Sequence, residues 1–138
     1  MRSAGNILAF LSLGALVGGM LFFGAVMAPL VFTHLPLPVA GAFIRAAFPW
    51  YYTYIIASAG IGAAGLLLRR SVLAALVPLA IIGVTAWLWV YFLPLLDAWR
   101  EAGNTAAFTR GHNLSVWING GELFAALLLF IRLAARAG

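Results

Sequence analysis

Residues 110–122 read RGHNLSVWINGGE and run without a break into LFAALLLFIRLAA at 123–135. From Asn113 to Ala134 the segment is long enough and apolar enough to cross a bilayer, because about 20 helical residues span a hydrocarbon layer of roughly 30 Å. Residues 110–122, which open it, nevertheless carry a His, two Asn, a Ser and a Glu. A helix that enters lipid with such groups must turn them toward other protein, since lipid offers them no hydrogen-bond partner.

Composition makes the same demand of the whole chain. Of its 138 residues 65% are hydrophobic and only 8% charged, and the mean hydropathy is +1.09. A soluble domain of this size has too little interior to hide that much apolar surface. Three further runs, roughly 7–32, 49–68 and 72–95, join 113–134 as candidate crossings. The predicted fold is therefore an all-α integral membrane protein, a single transmembrane domain over 1–138 built as a four-transmembrane-helix bundle. Barrel strands would need ten-residue alternation, which the chain does not show.

The breaks between runs have local causes. THLPLP at 33–38 carries two prolines, Arg69 and Arg70 close the second run, and DAWREAGNTAAFTRG at 97–111 reads as a polar turn. Between the first two crossings, LPVAGAFIRAAFP at 37–49 is bracketed by Pro38 and Pro49. Proline suits a first helical turn and disfavours helix just before itself, so a separate interfacial helix of two to three turns is expected there. The first run could be mistaken for a secretory signal ending at Val26-Met27-Ala28, but it is too long for one and Pro29 would follow the cut, so it reads as a retained helix.

Net charge is +5, from eight basic residues that are all arginine. They stand singly at the ends of apolar runs, a pattern that sets membrane topology and does not bind nucleic acid. Arg2, Arg69, Arg70, Arg132 and Arg136 share one side; Arg45, Arg100 and Arg110 share the other with Asp97 and Glu101. The first side is expected to be cytoplasmic, so that the chain sits in a bacterial inner membrane with both termini in the cytoplasm. Trp50, Tyr51, Tyr52, Trp89 and Tyr91 then form an outer aromatic belt. Close helix packing is expected at Gly14 and Gly18, Ser58 and Gly62, and Gly121 and Ala125, whose spacing lets backbones approach.

At 100° per residue His112, Ser115, Asn119 and Glu122 fall within about 80° of one another. They form one polar stripe that descends roughly 15 Å, so Glu122 lies near the bilayer centre if His112 is at the surface. A carboxylate there costs about 2.5–3.5 kcal/mol unless it is protonated, paired or wet. No basic residue lies at matching depth, which leaves Tyr54 and Ser58 on the second helix, Thr85 on the third and Asn119 as partners, and favours the neutral acid. The stripe is either a self-satisfied packing device or a site for a ligand or proton. His34, His112 and Met27 near the outer surface are a candidate metal set, suited to copper or, through paired imidazoles, haem. The chain has no cysteine, which excludes thiolate sites and disulfides. One intramembrane acid with no nucleophile beside it is not a hydrolytic constellation, and the chain reads as leaning away from an enzyme.

The whole chain resembles the TMEM205-like membrane proteins, whose bacterial members carry a domain of unknown function. The likeness rests on Gly18-Gly19, Phe22-Phe23-Gly24, Ala28-Pro29, Leu35-Pro36, Ala40-Gly41, Phe48-Pro49 with Tyr51, and Arg110-x-His112-x-x-Ser115-x-x-x-Asn119. Asn113, where the family usually has Gly, and Glu122 depart from the pattern. The resemblance implies transport or trafficking linked to tolerance of metal-containing drugs. Three functions fit the residues: a non-enzymatic membrane protein whose stripe binds or passes a small ligand, ion or proton; an accessory subunit of a larger membrane complex; or a haem- or copper-binding redox protein. The bilayer is the first partner, with a homo-oligomer or larger complex expected beyond it.

Overall fold

A computed structural model of the chain describes residues 2–136, and over them the protein is all-helical. Four helices are long and apolar enough to span a membrane: α1 (Ser3–His34), α2 (Leu37–Leu68), α3 (Val72–Glu101) and α4 (Thr105–Ala135). The four apolar runs lie inside them. Each helix is 30–32 residues, roughly 45–48 Å at 1.5 Å per residue, so each extends well beyond a ~30 Å hydrocarbon layer. The polar stretch 97–111 accounts for part of that excess. It is helix on both sides, and only residues 102–104 turn.

Short connections make successive helices antiparallel neighbours. Arg70 (φ 61°) and Gly103 (φ 69°) close α2 and α3 in the left-handed conformation. In each case two backbone bonds reach back into the last turn, Ser71 N to Leu66 O and Arg70 N to Leu67 O, then Asn104 N to Trp99 O and Gly103 N to Arg100 O. Asn104 then caps α4, its side chain accepting from Ala107 N at 3.1 Å.

α2 is the central element, packed against α1 on one side and α3 on the other. Leu13, Leu16, Met20, Ile55, Leu66 and Leu88 are almost wholly buried in the shared core. At the Gly65 end the backbones of α1 and α2 meet directly. A Cβ on Gly65 would lie 2.7 Å from Ala9 N and 2.9 Å from Gly5 O. α4 closes the bundle at this end, where Phe130 meets Phe10 edge to face at 5.8 Å. Away from the core Leu73, Trp117 and Val90 are each more than three-quarters exposed, as lipid-facing side chains must be. The bilayer is therefore the environment in which this surface is stable.

Two of the expected small-residue contacts are corrected. A Cβ on Gly18 or Gly121 would meet nothing within 4 Å, and one on Gly14 would meet only Phe130. Gly62 does face α1, a Cβ on it lying 3.2 Å from Ser12 Oγ, and Ser58 is buried one turn before it. Spacing sets which residues share a face, and the rotation of each helix decides where that face points.

The separate interfacial helix is also corrected. Residues 37–49 are helical, but they continue through Pro49 into the second crossing as one 32-residue helix. Pro49 removes the bond to Arg45 O and crowds it, yet packing on both sides keeps the axis continuous. Ahead of it Ala40 and Ile44 pack on Val31 of α1, and beside it Phe48 stacks on Tyr52 with ring centres 5.5 Å apart. Neighbouring helices make such prolines tolerable in membranes.

Pro29 in α1 and Pro94 in α3 are accommodated differently. Wider π turns occupy Phe22–Met27 and Leu88–Phe92, each ending two residues before a proline, Pro29 and Pro94. Ala28 N bonds to Phe23 O and Leu93 N to Leu88 O, five residues back instead of four. The wider turn makes room for the ring and re-bonds the backbone around the missing N–H.

Candidate functional site

α4 carries the stripe inward. Glu122 is 6% exposed and Thr85 of α3 is fully buried. Thr85 Oγ1 donates to Glu122 Oε1 at 2.8 Å, and Asn119 Nδ2 donates to Glu122 Oε2 at 3.1 Å. Asn119 Oδ1 in turn accepts from the Tyr51 hydroxyl of α2 at 2.8 Å. One chain of hydrogen bonds, Tyr51–Asn119–Glu122–Thr85, thus ties three helices together at mid-depth. Both carboxyl oxygens have donors. Among the described residues the ion pairs lie elsewhere, where Arg45 Nε (3.4 Å) and Arg100 Nη2 (3.1 Å) both meet Asp97 Oδ1.

The remaining sequence candidates are placed as follows. Ser115 does not join the chain; its hydroxyl donates to His112 O on its own helix at 2.7 Å. Tyr54 is not a partner of Glu122. It donates to Ala15 O of α1, with its ring laid over Gly19 so closely that a Cβ there would collide with it. Ser58 is buried and makes no hydrogen bond to Glu122 among the described residues. Of the expected partners, the fold brings Thr85 and Asn119 into contact with Glu122.

Tyr51, read from the sequence as part of the aromatic belt and of the family resemblance, is the member of the hydrogen-bonded chain that was not named as a partner of the stripe. It is 7% exposed and stacks on Phe23 at 4.1 Å. Ser58 and Gly62 mark the inward face of α2, with Tyr51 two turns and Tyr54 one turn before Ser58, so this spacing alone does not separate the two tyrosines.

Met27, His34 and His112 have separate surroundings. Met27 packs on the small cluster of Val31, Ala40 and Ile44. His34 is exposed and its Nδ1 is engaged by Thr33 Oγ1 and Leu30 O. His112 lies on α4, stacked on Phe108 at 6.0 Å. Among the described residues no three His, Asp or Glu cluster as metal ligands.

Toward the Asp97 end α1 and α4 diverge, and the space between them is hollow. A cavity of about 350 Å³ is lined by His112, Ser115 and Asn119 on α4, by Tyr51 on α2 and by Phe23 and Gly24 on α1. A second cavity, of about 730 Å³, lies above it and is lined by Arg45 and Arg100 among apolar side chains. Phe32, Ile44, Phe48 and His112 line both. Three of the four stripe residues thus face open space, and Glu122 sits behind Asn119. His112 and Tyr52, which line the same cavity, have no side-chain hydrogen-bond partner among the described residues, which leaves them the open polar groups in the wall.

No curated protein and no solved structure matches the chain. A family model does match, over residues 11–105. Tyr51 and Thr85 fall inside the match; the stripe on α4 lies beyond it. Because the match takes in more than half of the chain, including nearly all of its first three helices, the protein belongs to DUF4149, a family described as a domain of unknown function.

Proposed function

We propose that this is a small non-enzymatic membrane protein that binds a small ligand in the cavity between α1, α2 and α4. In this role His112 is the polar contact and the Tyr51–Asn119–Glu122–Thr85 chain is the floor. The observation that carries it is the lining itself, since His112, Ser115 and Asn119 face one cavity of about 350 Å³, within the range of roughly 300–1,000 Å³ usual for ligand sites. Glu122, reached from the cavity only through Asn119, would pass a proton or hold the floor in register. The likeness to TMEM205-like proteins belongs to the same proposal, as do a bacterial inner-membrane location and both termini in the cytoplasm.

The absence of native cysteine makes the cavity directly testable. Ser115→Cys in native membranes is expected to react with a water-soluble thiol reagent at least about tenfold faster than Leu114→Cys, which sits at the same depth on an exposed face. Equal, slow rates at both positions would mean a closed stripe used only for packing. Orientation is tested separately: reporter fusions at the two ends should both score cytoplasmic because the arginines at 69–70, 132 and 136 lie on their side. A periplasmic score at either end overturns that topology.

A further inference from the structure

The two cavities differ in what they offer. In the upper one Arg45 and Arg100 share a single oxygen of a single carboxylate, Asp97 Oδ1. Two cations against one anion leave an excess positive charge, and most guanidinium donors are unengaged. Arg100 is held in place over the Phe108 ring at 4.8 Å. The remaining walls of this space are mainly apolar, Phe32, Leu37 and Leu96 among them.

The lower cavity offers almost no free polarity, because Tyr51 and Asn119 are bonded to each other and Ser115 to its own helix. Apart from His112 and the Tyr52 hydroxyl it presents mainly hydrocarbon. Depth separates the two in the same sense. Charged Arg45, Asp97 and Arg100 belong at the headgroup level, while Asn119 lies roughly 10 Å deeper than His112 along α4. An anionic pole at the interface above an apolar channel in the hydrocarbon matches the shape and polarity of a lipid-like molecule.

We infer that the two adjoining cavities hold a single-chain amphiphile with an anionic head, the head bound between Arg45 and Arg100 and the chain passing His112 toward Tyr51. This rests on the ligand-binding role proposed above and names its ligand class. A soluble anion would use the arginines and leave the lower cavity empty; a neutral hydrocarbon would do the reverse.

The test uses the purified full chain in nanodiscs of zwitterionic lipid, with a spin-labelled fatty acid, its methyl ester and a spin-labelled anionic lysophospholipid as probes. At least one of the two anionic probes should bind saturably, and whichever binds tighter identifies a carboxylate or a phosphate head. The ester should bind at least about tenfold more weakly than the acid where the acid binds. Arg45→Gln with Arg100→Gln should weaken the anionic probe by a similar factor and leave the ester unchanged. Gly24→Leu, at a position where a Cβ meets nothing within 4 Å, should block the lower channel and weaken every probe. Ester binding equal to the acid, displacement of the probe by inorganic phosphate alone at equal concentration, or no saturable binding of either anionic probe overturns the inference. If neither binds while Ser115→Cys still reacts rapidly, the amphiphile is wrong and the cavity role stands; if Ser115→Cys is also inert, the cavity role falls too.

Discussion

A Gly65→Val chain should lose the seat of α1 on α2 and unfold in detergent well below the wild-type temperature. Helix propensity alone points the other way, since Gly is the poorest ordinary residue in a helix interior and Val is better by a few tenths of a kcal/mol. Geometry decides the sign. The added Cβ would lie 2.7 Å from Ala9 N and 2.9 Å from Gly5 O, and both are backbone atoms that cannot rotate aside. The two helices must part, loosening the buried layer that includes Leu13 and Leu66. Overpacking of this kind costs about 1–3 kcal/mol or more, and a backbone-on-backbone contact belongs at the upper end. Gly18→Val, where a Cβ meets nothing within 4 Å, is the control and should melt with the wild type. Thermal unfolding followed by circular dichroism separates them; equal melting of Gly65→Val and Gly18→Val would refute the direct contact.

The second large effect is expected at the centre of the hydrogen-bonded chain. Asn119→Leu removes both the acceptor of Tyr51 and a donor to Glu122, leaving two groups on different helices without partners. Unpaired buried groups cost about 1–3 kcal/mol each in soluble proteins, but hydrogen bonds between membrane helices average nearer 0.6. A net loss on the order of 2 kcal/mol follows. In a Tyr51→Phe background the same change should cost less, because the stranded hydroxyl is already gone. Equal losses in both backgrounds would mean that Tyr51 and Asn119 are not coupled. Glu122 divides the structural role from the functional one. Glu122→Leu strands Thr85 and Asn119 and should destabilise, whereas Glu122→Gln keeps a hydrogen-bonding group of the same shape and should fold normally. A Gln variant that also binds and functions normally would remove proton handling from the proposal and leave ligand binding.

The four crossings were legible because apolar runs of bilayer length rarely occur outside membrane-spanning helices, and the stripe was legible because His112, Ser115, Asn119 and Glu122 repeat at helical spacing within a single segment. Thr85 was found because few polar groups on α3 lie at that depth. Tyr51 and Tyr54 were harder to tell apart. α2 is apolar around most of its circumference, so its pattern does not set its rotation, and the two tyrosines lie only about 60° apart. The fold turns Tyr51 to Asn119 and Tyr54 to α1. The same missing information misplaced the contacts at Gly18 and Gly121. Pro49 was read as a boundary because local sterics favour one, while the packing of Ala40, Ile44 and Phe48 that holds the helix together is tertiary and absent from the segment itself.

The π turn in α1 changes which way the helix looks. Val31 is eleven residues after Met20, and on an uninterrupted α-helix the two would point within about 20° of each other. The turn at Phe22–Met27 inserts one residue beyond the α repeat and resets everything after it by roughly 100°. Met20 accordingly belongs to the main core, whereas Val31 belongs to a separate cluster with Ala40 and Ile44. α1 therefore serves as two differently aimed faces on one rod. One clamps the bundle shut at the Gly65 end, and the other is swung toward the start of α2, so the opening beside α4 is produced by a change of helical phase rather than by any shortage of apolar side chains to fill it.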